Sequence, residues 1–187
     1  MKEEIPPTEA EIKQHNLTHA NYAPWCEHRL AGRGQELRHA RSKPADQPLD
    51  ALVVQMDYMF IAPDGTITTT QEKNSIPVLV AVDDRGAVEA CYCTKKGPTD
   101  AYAIKVMSKY METLGVKKLT LQTDGELPIQ AVAKHIAKDT VPVVTLRTTP
   151  RYRSQSNGRV EVMNKTLAGT MRTIKGEVDK KRSGQLD

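Results

Sequence analysis

Apolar residues recur along this chain with two different periods, and each change of period marks a new element. Residues 51–60, Ala-Leu-Val-Val-Gln-Met-Asp-Tyr-Met-Phe, form an apolar run closed by the turn sequence Pro63-Asp64-Gly65, and predict a strand. Residues 76–82 and 87–94 predict two more, joined by Asp83-Asp84-Arg85-Gly86 with hairpin chemistry. The spacing then lengthens. Ala103, Met107, Tyr110, Met111 and Leu114 mark one face of a helix, capped by Thr99 and ended by Gly115 at the C′ position. A strand over 117–123 follows, then a helix from about Pro128 with Ile129, Val132, Ala133 and Ile136 facing inward, then a strand over 141–146. A polar loop, 147–156, leads into a long helix whose Val160, Met163, Leu167, Met171, Ile174 and Val178 form a core-facing stripe.

Residues 1–49 show little of either period and are punctuated by Pro6, Pro7, Pro24, Pro44 and Pro48, so they read as an irregular arm and linker with a short helix over 7–17. The expected fold class is therefore α/β, a mixed sheet made of a three-strand antiparallel meander plus two further strands, flanked by helices. Its divisions are the arm 1–49, a core 50–180 and a tail 181–187.

With 187 residues the chain accommodates one domain with a substantial core and an appendage. The net charge of +4 is mild, but residues 147–187 carry ten Lys or Arg against four acids, and Arg29, Arg33, Arg38, Arg41 and Lys43 form a second basic cluster. Both are candidate phosphate-contacting surfaces. Aromatic residues make up 4%, too few for a base-stacking platform. Three cysteines are an odd count, the N-terminus has no apolar leader, and the longest apolar run is too short to span a bilayer. These features predict a chain of a reducing compartment, nuclear or cytoplasmic, neither secreted nor membrane-bound.

Three acids stand apart. Asp57 lies inside an apolar strand, where a carboxylate is costly unless it is paired, hydrogen-bonded or bound to a metal. Asp124 ends a strand just before a helix, and Glu161 sits in the first turns of the long helix. Carboxylates converging from separate elements are the hard oxygen ligands that two Mg²⁺ or Mn²⁺ ions about 3.5–4 Å apart require for in-line displacement at phosphorus. The competing reading is a satisfied structural Asp57 and a solvated face shared by Asn157, Glu161 and Lys165, spaced four apart. Asp64, Asp83, Asp84, Asp100 and Asp139 are explained by turns and helix ends, whereas Glu126 is close enough to act as a supporting acid. Cys91 and Cys93 alternate with Tyr92 and read as small buried hydrophobes. In the arm, His15 and His19 are four apart, and Cys26 with His28 would complete a tetrahedral Zn²⁺ site, although Arg29 stands where a firm site has a second cysteine.

Asp57 in its strand, Thr123-Asp124-Gly125, and the run Gln155-Ser156-Asn157-Gly158-Arg159-Val160-Glu161-Val162-Met163-Asn164-Lys165 resemble the catalytic core of retroviral and copia-type retrotransposon integrases over roughly residues 50–180. The upstream His15, His19, Trp25-Cys26 and Gly32-Arg33-Gly34 are similar to the degenerate zinc-knuckle region that precedes such cores. The resemblance implies an RNase H-like fold and two-metal phosphoryl transfer, trimming DNA ends and then joining the 3′-hydroxyls to target DNA. Asp57 would bridge both ions, and Asp124 and Glu161 would each bind one. Tyr152, Gln155 and Asn157 would line a loop over the site with Gly158 as its hinge, and Asn164 and Lys165, with Arg159 nearby, would approach the DNA. Assembly into at least a dimer is also implied.

The chain departs from the family at Arg29, at Ala168, where retroviral cores commonly have a lysine, and in the spacing of the last two acids, which is one residue longer than usual. Its end at residue 187 leads to the expectation that the family's C-terminal DNA-binding domain is absent and that the chain is a fragment or relic of a mobile element. Two alternatives stay open: an RNase H-like nuclease that cuts without joining, and a catalytically silent DNA-binding or assembly module.

Overall fold

The computed structural model describes residues 6–19, 23–32, 52–63, 65–68, 71–149 and 157–182. Its elements run α1 (Glu9–Thr18), α2 (Glu27–Ala31), β1 (Leu52–Ile61), β2 (Ile67–Thr68), β3 (Ile76–Val82), β4 (Val88–Tyr92), α3 (Ala101–Thr113), β5 (Lys118–Thr123), α4 (Leu127–Asp139), β6 (Val143–Thr148) and α5 (Gly158–Arg182). The protein is α/β, with a mixed, open six-stranded sheet in the order β4-β3-β1-β5-β6 and the short β2 paired to β1. β1, β3 and β4 form the antiparallel meander, and β5 and β6 add to β1 in parallel.

Strand period two sorts β1 between two environments. Leu52, Val54, Met56, Tyr58 and Phe60 point to the face covered by α3 and α4, where they join Leu79, Met107, Met111, Leu121, Ile129 and Ile136 in the main hydrophobic core. Val53, Gln55, Asp57 and Met59 point the other way, to the face that receives the first turns of α5. Burying an apolar side chain of this size contributes about 1.5–3 kcal/mol, so the α3/α4 face fixes the register of β1, and that register fixes where Asp57 points.

Local chemistry accounts for the element ends. Asp100 caps α3, its Oδ1 accepting from Ala103 N–H at 3.1 Å, so the cap lies one residue after the expected Thr99. Gly115 at φ 68° closes the same helix in the left-handed conformation that glycine adopts without penalty. Asp83 holds the hairpin turn by accepting from the N–H groups of Arg85 (2.9 Å) and Ala87 (2.7 Å). Thr8 and Glu11 form a reciprocal capping box at the start of α1. Cys91 and Cys93 are both buried in the main core.

The expected stripe on the long helix needs correction. Val160 is buried, but Met171, Ile174 and Val178 are exposed, and the buried positions are Val160, Asn164, Ala168, Gly169 and Thr173. Small side chains on that face permit close approach. A Cβ built on Gly32, at the end of α2, would lie 2.5 Å from Thr173 Oγ1.

The chain forms two compact units, Met1–Arg38 together with Lys165–Asp187, and His39–Asn164. α5 thus contributes its first turns to the sheet unit and its remaining turns to the helical unit. Among the described residues no helix is long and apolar enough to cross a membrane.

Candidate functional site

Asp57 lies in the middle of β1, not at its end, yet it stands at the carboxyl end of the parallel half of the sheet. The parallel pairing of β1 with β5 runs from Leu52↔Leu119 to Gln55↔Gln122. Continued for two residues, that register sets Asp57 level with Asp124. This is the edge of a parallel sheet at which ligand sites gather.

Three other acids act on Asp57 through their charge. Asp57 is pushed up to about 7, first by burial and then by the negative charges of Asp124, Glu126 and Glu161, while the Tyr58 N–H, donating to Oδ1 at 2.8 Å, pulls the other way. Asp124 is also raised, by burial first and by Glu126, against the Glu126 N–H donated to its Oδ1 at 3.0 Å and the Lys96 ammonium. Several like charges held in a half-buried space are unfavourable without a counter-charge, which is the condition a divalent cation relieves. Lys96, from the segment after β4, pairs with Glu126 and lies 5.3 Å and 5.1 Å from the ring centroids of Tyr58 and Phe60.

α5 supplies the remaining groups. Asn164, expected near the DNA, is buried, and its Nδ2 donates to Asp57 Oδ2 at 3.5 Å. Asn157 is also buried, and the Oδ1 atoms of both asparagines have no hydrogen-bond partner. Arg159 donates through its N–H to Gln55 Oε1 at 3.0 Å and through Nη1 to the Val53 carbonyl at 3.4 Å. Val160 N–H donates to the same Gln55 oxygen at 3.2 Å. Lys165 is exposed. Gly158 opens α5 without a positive φ, and a Cβ there would meet nothing within 4 Å, so this backbone does not require the glycine expected as a hinge. Tyr152 and Gln155 lie outside the described residues.

No family model matches the sequence, and no curated protein matches it. Among solved structures, the chain is similar to one in the cryo-electron microscopy structure of a simian T-cell lymphotropic virus intasome in complex with PP2A regulatory subunit B56 gamma, at 15% identity and a TM-score of 0.42. The match covers 86% of this chain and 63% of that one, so the chain spans less than two thirds of the neighbour's length.

The helical unit holds a second cluster. His15, His19 and Cys26 place their ligand atoms within 4.8 Å of one another, and His19 Nδ1 lies 3.4 Å from Cys26 Sγ. His19 Nε2 meets the Glu177 carboxylate, which also receives Lys181 Nζ at 2.8 Å. His15 is lowered, chiefly by burial, which favours the neutral imidazole, and its Nε2 is buried without a hydrogen-bond partner. His28, expected as a fourth ligand, falls outside this set, its ring centroid 5.4 Å from that of His19. Burial pulls His28 down as well.

Sequence reasoning missed Gln55, Lys96 and Glu177. Gln55 left a signal, being a polar residue in an apolar strand and on the same face as Asp57 two positions later. Lys96 and Glu177 left none, because their partners are distant in sequence.

Proposed function

We propose that this chain is an integrase-type polynucleotidyl transferase core with an RNase H-like fold, in which Asp57, Asp124 and Glu161 hold two Mg²⁺ or Mn²⁺ ions for phosphoryl transfer on DNA. The observation that carries the reading is the acid cluster at the carboxyl end of the parallel strands, with Asp57 raised to about 7 by burial and by three neighbouring acids. The donor set suits hard cations, being carboxylate oxygens, with the buried Asn164 amide oxygen, which has no hydrogen-bond partner, on a side chain that touches Asp57. Bound there, the ions would supply Lewis acidity at phosphorus and an activated water or 3′-hydroxyl.

The chain's own groups do the rest. Asn164 Nδ2 holds one face of Asp57, and the Tyr58 N–H holds its other oxygen, so the carboxylate is aimed before any ligand arrives. Glu126 keeps Lys96 near the cluster, where its ammonium offsets charge on Asp124. Arg159 and Lys165 supply cationic groups for a DNA backbone, on a chain whose residues 147–187 carry a net +6. The reading carries with it DNA ends and target DNA as substrates and assembly of more than one copy.

In the helical unit, His15, His19 and Cys26 fit a Zn²⁺ ion as three ligands. Glu177, engaging His19 Nε2, leaves the Nδ1 lone pair directed at Cys26, an arrangement by which carboxylates orient metal-bound histidines.

Incubation of the chain with duplex DNA in Mg²⁺ or Mn²⁺ tests the reading. Strand cleavage lost in each of Asp57→Asn, Asp124→Asn and Glu161→Gln supports it. Salt-sensitive DNA binding without metal-dependent cleavage favours the silent module instead.

A further inference from the structure

The first turn of the helix that carries Glu161 donates its N–H groups to another element. α5 starts at Gly158, so Asn157 occupies the position whose side-chain oxygen ordinarily accepts from the second or third helical N–H. Asn157 does not do this, since its Oδ1 is buried without a hydrogen-bond partner. The second and third helical N–H groups, those of Arg159 and Val160, donate instead to one oxygen from another element, Gln55 Oε1, at 3.0 Å and 3.2 Å. Gln55 is buried and lies two residues before Asp57 on the same face of β1. One strand therefore carries both the acid at the centre of the cluster and the acceptor that seats the helix bearing Glu161, which directly follows Val160.

We infer that Gln55 is a positioning residue for Glu161, a helix cap supplied in trans by the strand of Asp57. The inference rests on the metal-dependent reading of the acid cluster. An internal cap holds the helix start by its own flanking residue, and the helix could then drift relative to the sheet. A cap on β1 ties the first turn of α5 to the frame that fixes Asp57, beside the Arg159–Val53 and Asn164–Asp57 bonds between the same two elements. The physical reason for a glutamine is reach and neutrality: its carbonyl oxygen accepts two N–H groups, and it adds no charge beside acids already in mutual repulsion.

Gln55→Met keeps the length and volume of the side chain and removes the acceptor. The test is Mn²⁺ affinity, read by electron paramagnetic resonance on the whole chain, for wild type, Gln55→Met, Glu161→Gln and the double variant. Gln55→Met is expected to weaken Mn²⁺ binding by about tenfold or more, as loss of a group that orients a metal ligand does. In the Glu161→Gln background the same change should have no further effect. Unchanged affinity in Gln55→Met, or an equal loss in both backgrounds, overturns the inference, because a merely structural glutamine would act independently of Glu161. Amide hydrogen exchange gives a second readout. The Arg159 and Val160 amides should lose protection in Gln55→Met while the β1–β3 ladder keeps its own. If Gln55→Met fails to fold, Gln55→Glu, which retains the acceptor, must protect both amides, and failure to do so is equally fatal. A wild type that shows the Gln55-dependent Mn²⁺ affinity but neither cleaves nor joins DNA overturns the proposed function and leaves the positioning role standing. One that binds no Mn²⁺ overturns both.

Discussion

Asn164 on α5 donates from Nδ2 to Asp57 Oδ2 on β1 at 3.5 Å, linking residues 107 positions apart. The bond places a neutral amide where a fourth carboxylate would add to the repulsion at Asp57. Asn164→Asp replaces that amide with a near-isosteric acid. In chelator the variant should melt below wild type, by about 2–4 °C for each kcal/mol of added repulsion. Added Mg²⁺ should raise its melting temperature more than that of wild type. Equal Mg²⁺ responses in the two proteins would contradict this placement of Asn164.

The metal-free chain should lose stability with rising pH at Asp57. Its carboxyl stands at about 7 in the fold against an ordinary 3.8, so between these values the folded state binds the proton that the unfolded state releases. The contribution is intact below the unfolded value, falls as pH rises, and is lost above the folded one. Asp57→Asn removes this dependence. At about pH 8 in chelator the variant should be more stable than wild type by roughly 2–4 kcal/mol, at about 1.4 kcal/mol per pKa unit, and the gap should close near pH 4. Urea denaturation at both pH values measures it, and a gap independent of pH would refute the assignment.

Much of the sheet is legible in the sequence because its apolar runs are bounded by strong turn chemistry. The expected strand over 76–82 coincides with β3, and the runs over 51–60 and 117–123 are each displaced by one residue or less at either end. β2 has two residues and α2 has five, too short for either period to register. The stripe on α5 misleads because the face that the later turns bury is not the apolar one. Met171, Ile174 and Val178 satisfy the pattern, while the helix buries Ala168 and Thr173, whose small side chains sequence periodicity does not reward. Asp57, Asp124 and Glu161 are visible in the sequence as candidates, Asp57 as a carboxylate inside an apolar strand and the other two at element edges. The groups that aim them are not, since Gln55 and Asn164 reach partners more than a hundred positions away.

The helical unit makes its own prediction. Co²⁺ added in place of Zn²⁺ should give visible d–d bands together with a near-ultraviolet thiolate charge-transfer band, because Cys26 lies among the three ligands. Cys26→Ser should abolish the charge-transfer band, and Glu177→Gln should weaken binding by about tenfold through its loss of hold on His19. A Co²⁺ spectrum indifferent to Cys26 would contradict the site.

Gly32 is packed too closely for a side chain. A Cβ would lie 2.5 Å from Thr173 Oγ1, 3.0 Å from the His28 carbonyl and 3.1 Å from the Thr173 nitrogen. Gly32→Ala should destabilise the helical unit by about 1–3 kcal/mol, the ordinary range for overpacking. Exchange protection in the last turns of α5 should fall while β1 and β3 are unaffected. Unchanged protection in α5 would show that the contact is dispensable.

The most direct test of the account is strand joining on a branched DNA that mimics the joined product, in Mg²⁺ or Mn²⁺, with wild type set against Asp57→Asn. Wild type is expected to resolve the branch with a rejoined strand when metal is present, and the variant to lose this. Cleavage without rejoining would reduce the chain to a nuclease, and DNA binding with neither reaction would contradict the catalytic reading.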